Sequence, residues 1–144
     1  MDDQQRFNQK RYRHWIDDRV RFSDLDPLGH VNNNAIGTYF ENARATLFAL
    51  VTPNWPARKQ LFVLARSTID FRRELHMPAS LRIGSCITEL GRTSMKMANA
   101  VFHDDVGIAY CENVSVLIDQ TTRKPAELPA DLRQALTAYL DGTL

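Results

Sequence analysis

The chain has 144 residues, of which 44% are apolar and 24% are charged. This is the composition of an ordinary globular domain and argues against a disordered chain. The formal net charge of +1 gives the protein no strong electrostatic field. This argues against binding to nucleic acid or to an anionic membrane surface. No apolar run approaches the roughly 20 residues that span a bilayer, and the polar start MDDQQRFNQKRYRHW lacks the apolar segment of a signal peptide. We therefore expect a cytoplasmic protein without a membrane partner.

The first 14 residues carry several basic side chains and little apolar pattern. A basic arm that contacts nucleic acid is one interpretation, but Asp17 and Asp18 follow at once, and we expect a polar tail in solvent. Residues 15–144 contain no repeat, low-complexity segment or linker, which predicts a single domain.

The first predicted element is a strand, because Ile16, Val20 and Phe22 alternate with charged residues. A type I turn follows, since Asp26 and the Pro-Leu-Gly after it occupy the positions that this turn prefers.

A long helix is predicted next, with Asn32, Asn33 and Asn34 as competent N-caps. Its apolar residues recur at spacings of three and four, which gives a stripe broad enough to pack on a sheet. The stripe consists of Ile36, Phe40, Ala43, Leu47, Leu50 and Val51. The two prolines of segment 52–56 would end this helix.

Four further strands and a short helix complete the prediction. The first strand alternates through Leu61, Val63, Ala65, Ser67, Ile69 and Phe71; the second contains Leu81, Ile83 and Ile87; the third spans 93–102; the fourth runs through Ile108, Tyr110, Val114, Val116 and Ile118; and the closing helix contains Leu132, Ala135, Leu136, Tyr139 and Leu140. This order of elements, with one strand, a long helix and then strands at hairpin-like spacings, predicts an α+β domain with one antiparallel sheet. Such a sheet leaves its second face partly uncovered, so we expect a homo-oligomer.

Several kinds of site find no support in the sequence. The four histidines lie in separate segments without ligand spacing, and we predict no metal site. No GxGxxG, P-loop or GxSxG pattern occurs, so we expect neither a nucleotide cofactor nor a serine nucleophile. Cys86 and Cys111 fall inside predicted strands and are expected to be reduced and buried.

The chemically informative stretch runs from Arg21 to Asn33. Asp26 begins the turn, His30 leaves it, and a helix N-terminus follows. Backbone N–H groups at a helix start can stabilise an oxyanion, and a carboxylate can act as a nucleophile or a general base. A purely structural interpretation stands beside this one, since Asp often caps its own turn and Asn often caps a helix.

The stretch from Asp24 to Asn33, followed by Tyr39-Phe40-Glu41-x-Ala43-Arg44, closely resembles the opening of the 4-hydroxybenzoyl-CoA thioesterase family, in the branch that carries D-x-D-x-x-G-H-V-N-N. Weaker similarity continues through Ile69-Asp70-Phe71 and Leu90-Gly91-Arg92 into the closing helix. The resemblance implies a hotdog fold, in which the sheet wraps the long helix. It also implies a homodimer or a dimer of dimers with active sites at subunit interfaces.

The resemblance further implies that Asp26 is the catalytic carboxylate. The backbone N–H near Asn33 would polarise the thioester carbonyl, and His30 would lie beside the thioester. Members with His-Val-Asn-Asn tend toward aliphatic acyl groups, so an aliphatic acyl-CoA is expected rather than 4-hydroxybenzoyl-CoA itself.

Two other carboxylates compete with Asp26 for the catalytic role. For Asp24 we expect an ion pair with Arg21 or Arg44. Glu41 could be the acid, as in another hotdog branch, or could pair with Arg44 three residues on.

For the CoA phosphates the first candidates are Arg92 and Lys96. Other cations remain open, namely Arg72, Arg73, Arg123 and Lys124. The sequence thus predicts an acyl-CoA thioesterase that needs no cofactor. The alternative is a hotdog protein that binds acyl-CoA or acyl-carrier protein without turnover. Hydratase or dehydratase chemistry, a third interpretation, lacks its expected motif.

Overall fold

The computed structural model describes residues 1–53 and 57–144 of the chain. Its five strands form one antiparallel sheet in the order β1-β3-β4-β5-β2. The strands are β1 (His14–Arg19), β2 (Gln60–Phe71), β3 (Ser80–Leu90), β4 (Ser94–His103) and β5 (Val106–Asp119). The helices are α1 (Asp3–Arg6), α2 (Asn33–Val51) and α3 (Ala130–Thr137), with 3₁₀ turns at Gln9–Arg11 and Phe22–Asp24. The α+β architecture predicted from the sequence is confirmed.

Helix α2 lies across one face of the sheet and buries the stripe that the sequence predicts. Its first half, with Ile36 and Phe40, packs against Leu81 and Ile83 of β3. Its second half, with Leu47, joins a cluster that includes the following residues: Ile87, Met95, Met97, Leu117, Leu132 and Leu136. Each such buried side chain stabilises the fold by about 1.5–3 kcal/mol. Leu50 is the exception to the stripe, being 58% exposed.

The helix stop that segment 52–56 predicts lies partly outside the described residues. Val51 is the last helical residue, and residues 54–56 are not described. Among the described helices, none is long and apolar enough to cross a bilayer.

The first strand lies where the sequence predicts it, but it ends earlier than predicted. β1 ends at Arg19, and Phe22 begins a 3₁₀ turn with its side chain 81% exposed. The closing helix is also shorter than predicted. Tyr139 and Leu140 lie beyond α3, where the Tyr139 carbonyl accepts a hydrogen bond from the backbone N–H of Ile87.

Strand β2 changes face part-way along its length. The register with β5 shifts between Leu64 and Arg66, which is a β-bulge. Phe62 is buried in the helix-side core before the bulge, and Ile69 packs on the same face after it. The prediction that odd-numbered residues face the core from Leu61 to Phe71 is therefore wrong before the bulge. There the even-numbered Phe62 faces the core, because the extra residue at the bulge switches which residues point inward.

Part of the N-terminal segment folds onto the other face of the sheet, so the expected tail in solvent is wrong for Phe7, Arg11 and Tyr12, while Asn8, Lys10 and Arg13 are exposed. Phe7 packs edge-on against Phe102 with ring centroids 5.9 Å apart. Tyr12 is buried in the same cluster as Phe102, Cys86 and Tyr110. This segment partly covers the face that the sequence left open.

Both cysteines are free and buried, as predicted. Burial raises the pKa of the Cys86 thiol to about 12, which keeps it protonated and unreactive.

Candidate active site

The turn that carries Asp26 has the hydrogen bond expected of it. The N–H of Gly29 donates to the Asp26 carbonyl at 3.0 Å. Gly29 has a φ of 82°, a conformation that glycine adopts without strain. One carboxylate oxygen of Asp26, Oδ1, accepts from the backbone N–H groups of Leu28 at 2.9 Å and His30 at 3.2 Å. The other oxygen accepts no hydrogen bond from the described residues. Asp26 thus caps its own turn with one oxygen and leaves the second available.

Backbone hydrogen bonds hold this loop against the body of the protein. The N–H of Asn32 donates to the Asp24 carbonyl, and the N–H of Val31 donates to the Leu75 carbonyl, both at 2.8 Å. The Leu75 side chain is buried in the core. The loop before α2 and the segment after β2 are therefore fixed to each other.

Helix α2 begins with an unoccupied backbone donor. The Asn32 side chain caps the helix by accepting from the Asn34 N–H at 2.8 Å. The N–H groups of Ala35 and Ile36 donate to the Asn32 carbonyl. The Asn33 N–H has no acceptor among the described residues. It lies at the positive end of the helix dipole and can donate to a ligand.

A cavity of about 340 Å³ brings these groups together. Asp26, His30 and Asn33, the three residues predicted for the site, all line it. Its other walls come from α2 and from the end of β2, with the residues Val31, Ile36, Phe71, Arg72, Arg73, Glu74 and Leu75. Phe71, Arg72 and Arg73 were singled out in the sequence, the two arginines as candidate cations, but Glu74 and Leu75 were not predicted, because no local motif marks them.

His30 faces an acidic partner that the sequence analysis missed. Its Nδ1 lies 3.2 Å from Oε1 of Glu74, and Nε2 of His76 lies 3.5 Å from the other oxygen of Glu74. The two imidazole rings are 4.9 Å apart between centroids. The fold therefore joins two histidines that are far apart in the chain.

The competing carboxylates make different contacts from those predicted. Oδ2 of Asp24 accepts from the Arg21 backbone N–H at 2.9 Å and from the Tyr39 hydroxyl at 2.5 Å. The Arg21 guanidinium pairs with Asp18 instead, so the ion pair predicted for Asp24 is wrong. Burial, together with the Asp24 carboxylate, raises the pKa of Tyr39 and keeps this hydroxyl a donor.

Glu41 is exposed on α2 and, within the described residues, makes no ion pair with Arg44. It lines a second cavity of about 620 Å³ between α2 and β2, away from Asp26.

Arg92 and Lys96, the first candidates for binding the CoA phosphates, do not line the Asp26 cavity of their own chain. Arg92 pairs with Glu127 at 3.0 Å, and Lys96 pairs with Glu89 at 2.9 Å, all with exposed side chains. Of the other candidates, Arg72 and Arg73 line the cavity. Arg72 also pairs with Asp3, and Arg73 donates to the Gly107 carbonyl at 2.7 Å. Lys124 lies near the opposite end of β2, where its carbonyl accepts from the backbone N–H of Asp119.

Most of the chain matches the model of one protein family. The family model of the thioesterase-like superfamily matches residues 20–136. The chain belongs to the thioesterase-like superfamily.

Similar structures share the hotdog fold, which confirms that prediction. A thioesterase from Thermus thermophilus, crystallised with coenzyme A and Zn, is 32% identical, with a TM-score of 0.82 over 90% of this chain and 95% of that chain. A predicted thioesterase from Bacillus stearothermophilus is 24% identical, with a TM-score of 0.83 over 88% and 96%. The uncharacterized protein YsmA of Bacillus subtilis (strain 168) is 30% identical over 78 residues, which are 54% of this chain. The match spans 53% of the length of YsmA, about half of that curated relative.

Proposed function

We propose that this protein is an acyl-CoA thioesterase in which Asp26 assists hydrolysis of the thioester. One observation carries the proposal: Asp26 and Asn33 line the same cavity, and within the described part of the chain neither Oδ2 of Asp26 nor the backbone N–H of Asn33 has a hydrogen-bond partner. Membership of the thioesterase-like superfamily supports the reaction class.

In the proposed reaction the Asn33 N–H donates to the carbonyl oxygen of the thioester, where negative charge develops. Asp26 then attacks the carbonyl carbon or takes a proton from an attacking water. On the water route, a C–O bond forms between water and the carbonyl carbon and the C–S bond breaks, which releases the acid and a thiolate while Asp26 holds the proton taken from water. On the covalent route, breaking the C–S bond releases the thiolate and leaves a mixed anhydride on Asp26, and water then hydrolyses this anhydride to release the acid and restore the carboxylate. The thiolate is a good leaving group, since the pKa of a free thiol is about 8.5. His30 lies beside this centre and would position the thioester or the water.

A CoA thioester is the proposed substrate class, with an acyl-carrier protein as the alternative carrier of the acyl group. The coenzyme A bound to the Thermus thermophilus relative supports CoA. Arg73 at the cavity is a candidate for a CoA phosphate. In the proposed homodimer or dimer of dimers, a second copy would complete the site, and Arg92 and Lys96 could reach the phosphates from that copy.

We also propose an aliphatic acyl group. The apolar side chains around the cavity are Val31, Ile36, Phe71 and Leu75. A cavity of about 340 Å³ is small among ligand sites, which favours a compact acyl group within one chain.

The test is a panel of aliphatic and aromatic acyl-CoAs with detection of the free thiol. We expect wild-type turnover to be fastest on an aliphatic substrate. Asp26→Asn should lower kcat/KM at least about 100-fold, which equals about 2.7 kcal/mol of transition-state stabilisation. The matched control is Asp104→Asn, which removes a carboxylate from the exposed β4–β5 turn and should retain full activity.

If Asp26→Asn hydrolyses the panel as fast as wild type, Asp26 is not the catalytic carboxylate. If the wild type binds acyl-CoAs but hydrolyses none, the protein is the non-catalytic binding module instead. A single turnover in water enriched in heavy oxygen would separate the two roles of Asp26, because only a covalent route places label in its carboxylate.

A further inference from the structure

Three metal-binding side chains meet at the rim of the Asp26 cavity. His30, Glu74 and His76 each offer one ligand atom, and these atoms all lie within 4.8 Å of one another. His30 Nδ1 lies 3.2 Å from Oε1 of Glu74, and His76 Nε2 lies 3.5 Å from the other oxygen of the same carboxylate, Oε2.

The backbone that carries these side chains is fixed. His30 precedes Val31, whose N–H donates to the Leu75 carbonyl at 2.8 Å, and Leu75 lies between Glu74 and His76. The N–H of His30 itself donates to the Asp26 carboxylate. This main-chain hydrogen bond therefore fixes the backbone positions of the three residues relative to one another before any ion arrives, so that binding has to restrict only the rotation of their side chains.

The ligand types select the ion. Two imidazole nitrogens and one carboxylate oxygen form the set that holds Zn²⁺ in sites with an open fourth position. Bonds of about 2.0–2.2 Å place the ligand atoms of a tetrahedral site about 3.3–3.6 Å apart. The 3.5 Å from His76 Nε2 to Oε2 of Glu74 lies in this range, and the 3.2 Å from His30 Nδ1 to Oε1 of Glu74 lies just below it. Mg²⁺ and Ca²⁺ prefer oxygen ligands and do not suit this set.

We propose that His30, Glu74 and His76 bind a divalent transition metal ion, with Zn²⁺ as the best match. The three side chains are partly exposed, with His30 at 33%, His76 at 58% and Glu74 at 67%, so an ion in solution can reach them and the ligands can rotate onto it. His30 and Glu74 also line the Asp26 cavity, which places the ion at its rim. Resting on the proposed function, we infer that the bound ion inhibits hydrolysis, because it takes His30 away from the substrate.

The binding test uses calorimetry with Zn²⁺ and the visible absorption of Co²⁺, both without substrate. We expect one ion per chain in the wild type and no binding of Mg²⁺. His76→Asn should weaken Zn²⁺ binding at least about tenfold through the loss of one of three ligands. His76 is the informative position because it lies outside the cavity lining. The matched control, His103→Asn, removes a histidine that lies beside Asp104 at 3.3 Å, and it should bind Zn²⁺ as the wild type does.

Unchanged affinity in His76→Asn, or an equal loss in His103→Asn, would overturn the metal site. The inhibition is tested separately, as Zn²⁺ should slow acyl-CoA hydrolysis by the wild type but not by His76→Asn. A wild type that binds Zn²⁺ and keeps its full rate would refute the inhibition alone. A protein that hydrolyses no acyl-CoA would contradict the proposed function and leave the calorimetric result valid.

Discussion

The two carboxylate oxygens of Asp26 have different environments. Oδ1 accepts two backbone N–H groups of its own turn, while no described residue donates to Oδ2. The short aspartate side chain reaches the N–H two residues on, which is the geometry of an Asx turn. The structural and the catalytic interpretations of this residue are therefore compatible, because they use different atoms.

Asp24 supports the same loop through a side chain from α2. Its carboxylate accepts the Tyr39 hydroxyl, and its carbonyl accepts the Asn32 N–H. We expect Tyr39→Phe to lower the free energy of unfolding by about 1–2 kcal/mol, because a partly buried carboxylate loses a hydrogen bond. Urea denaturation measures this change.

Tyr139→Phe is the control for this substitution, since the Tyr139 hydroxyl makes no hydrogen bond within the described residues. It should leave the unfolding midpoint nearly unchanged. Equal stabilities of the two variants would show that the contact between Tyr39 and Asp24 contributes nothing.

The residues of the site could be predicted from the sequence only where they are close together in the chain. Asp26, His30 and Asn33 are near neighbours, so a turn followed by a helix start was enough to group them. Glu74 and His76 join them through the end of β2, and no local pattern encodes that approach. The ion pair predicted for Asp24 is wrong for a similar reason. The sequence does not reveal that the fold brings the Tyr39 hydroxyl to the Asp24 carboxylate while the Arg21 guanidinium pairs with Asp18.

Strand β2 is one of the two edge strands of the sheet, and no described strand pairs with its outer edge. It pairs with β5 on one side, and residues 64–68 are exposed. The alternation predicted the extent of this strand correctly, but the bulge after Leu64 reversed the inward face of its first half. An alternation pattern with small residues at its centre, such as Ala65 and Ser67, does not reveal where a bulge lies.

An open edge beside an apolar cavity suits a second copy of the chain. Leu64 is 48% exposed and lines the cavity of about 620 Å³ together with Phe48 and Phe62. We expect Leu64→Lys to weaken self-association at least about tenfold, because each dimer loses two apolar contacts across its symmetric interface. Sedimentation velocity at micromolar concentration measures the change.

The control is Val106→Lys, which places the same charge on an exposed apolar residue at the start of β5. It should associate as the wild type does. A wild type that sediments as a monomer would rule out pairing along β2, and so would equal association of the two variants.

The two ends of the chain are held together. Arg11 and Asp141 form a buried ion pair at 2.7 Å, and the Gly142 N–H donates to the Arg11 carbonyl at 2.8 Å. Sequence reasoning missed this contact because 130 residues separate the partners. The aromatic residues of the N-terminal segment were missed as well, since Phe7 and Tyr12 follow no periodic pattern.

This buried pair predicts how stability depends on pH. Burial alone would raise the pKa of Asp141, but hydrogen bonds from Thr143 and Arg11 outweigh it and hold the pKa below its ordinary value of 3.8. The stability that the ionised carboxylate contributes is therefore present above about pH 4 and is lost as the pH falls through the lowered pKa.

Asp141→Asn should lower the free energy of unfolding at pH 7 by about 3 kcal/mol, because Arg11 keeps its charge without a partner. The difference from wild type should shrink below pH 4, which urea denaturation at a series of pH values measures. A difference that stays constant from pH 7 to pH 3 would contradict the assignment.

Strand β2 also links two distant surfaces of the molecule. Its outer edge is available for pairing with a neighbouring chain. Its last residue is followed directly by Arg72, Arg73 and Glu74, which line the Asp26 cavity. Because a second copy is proposed to complete the site, a chain without a neighbour along this edge should hydrolyse acyl-CoA more slowly, and turnover per chain should rise with the concentration of the protein itself.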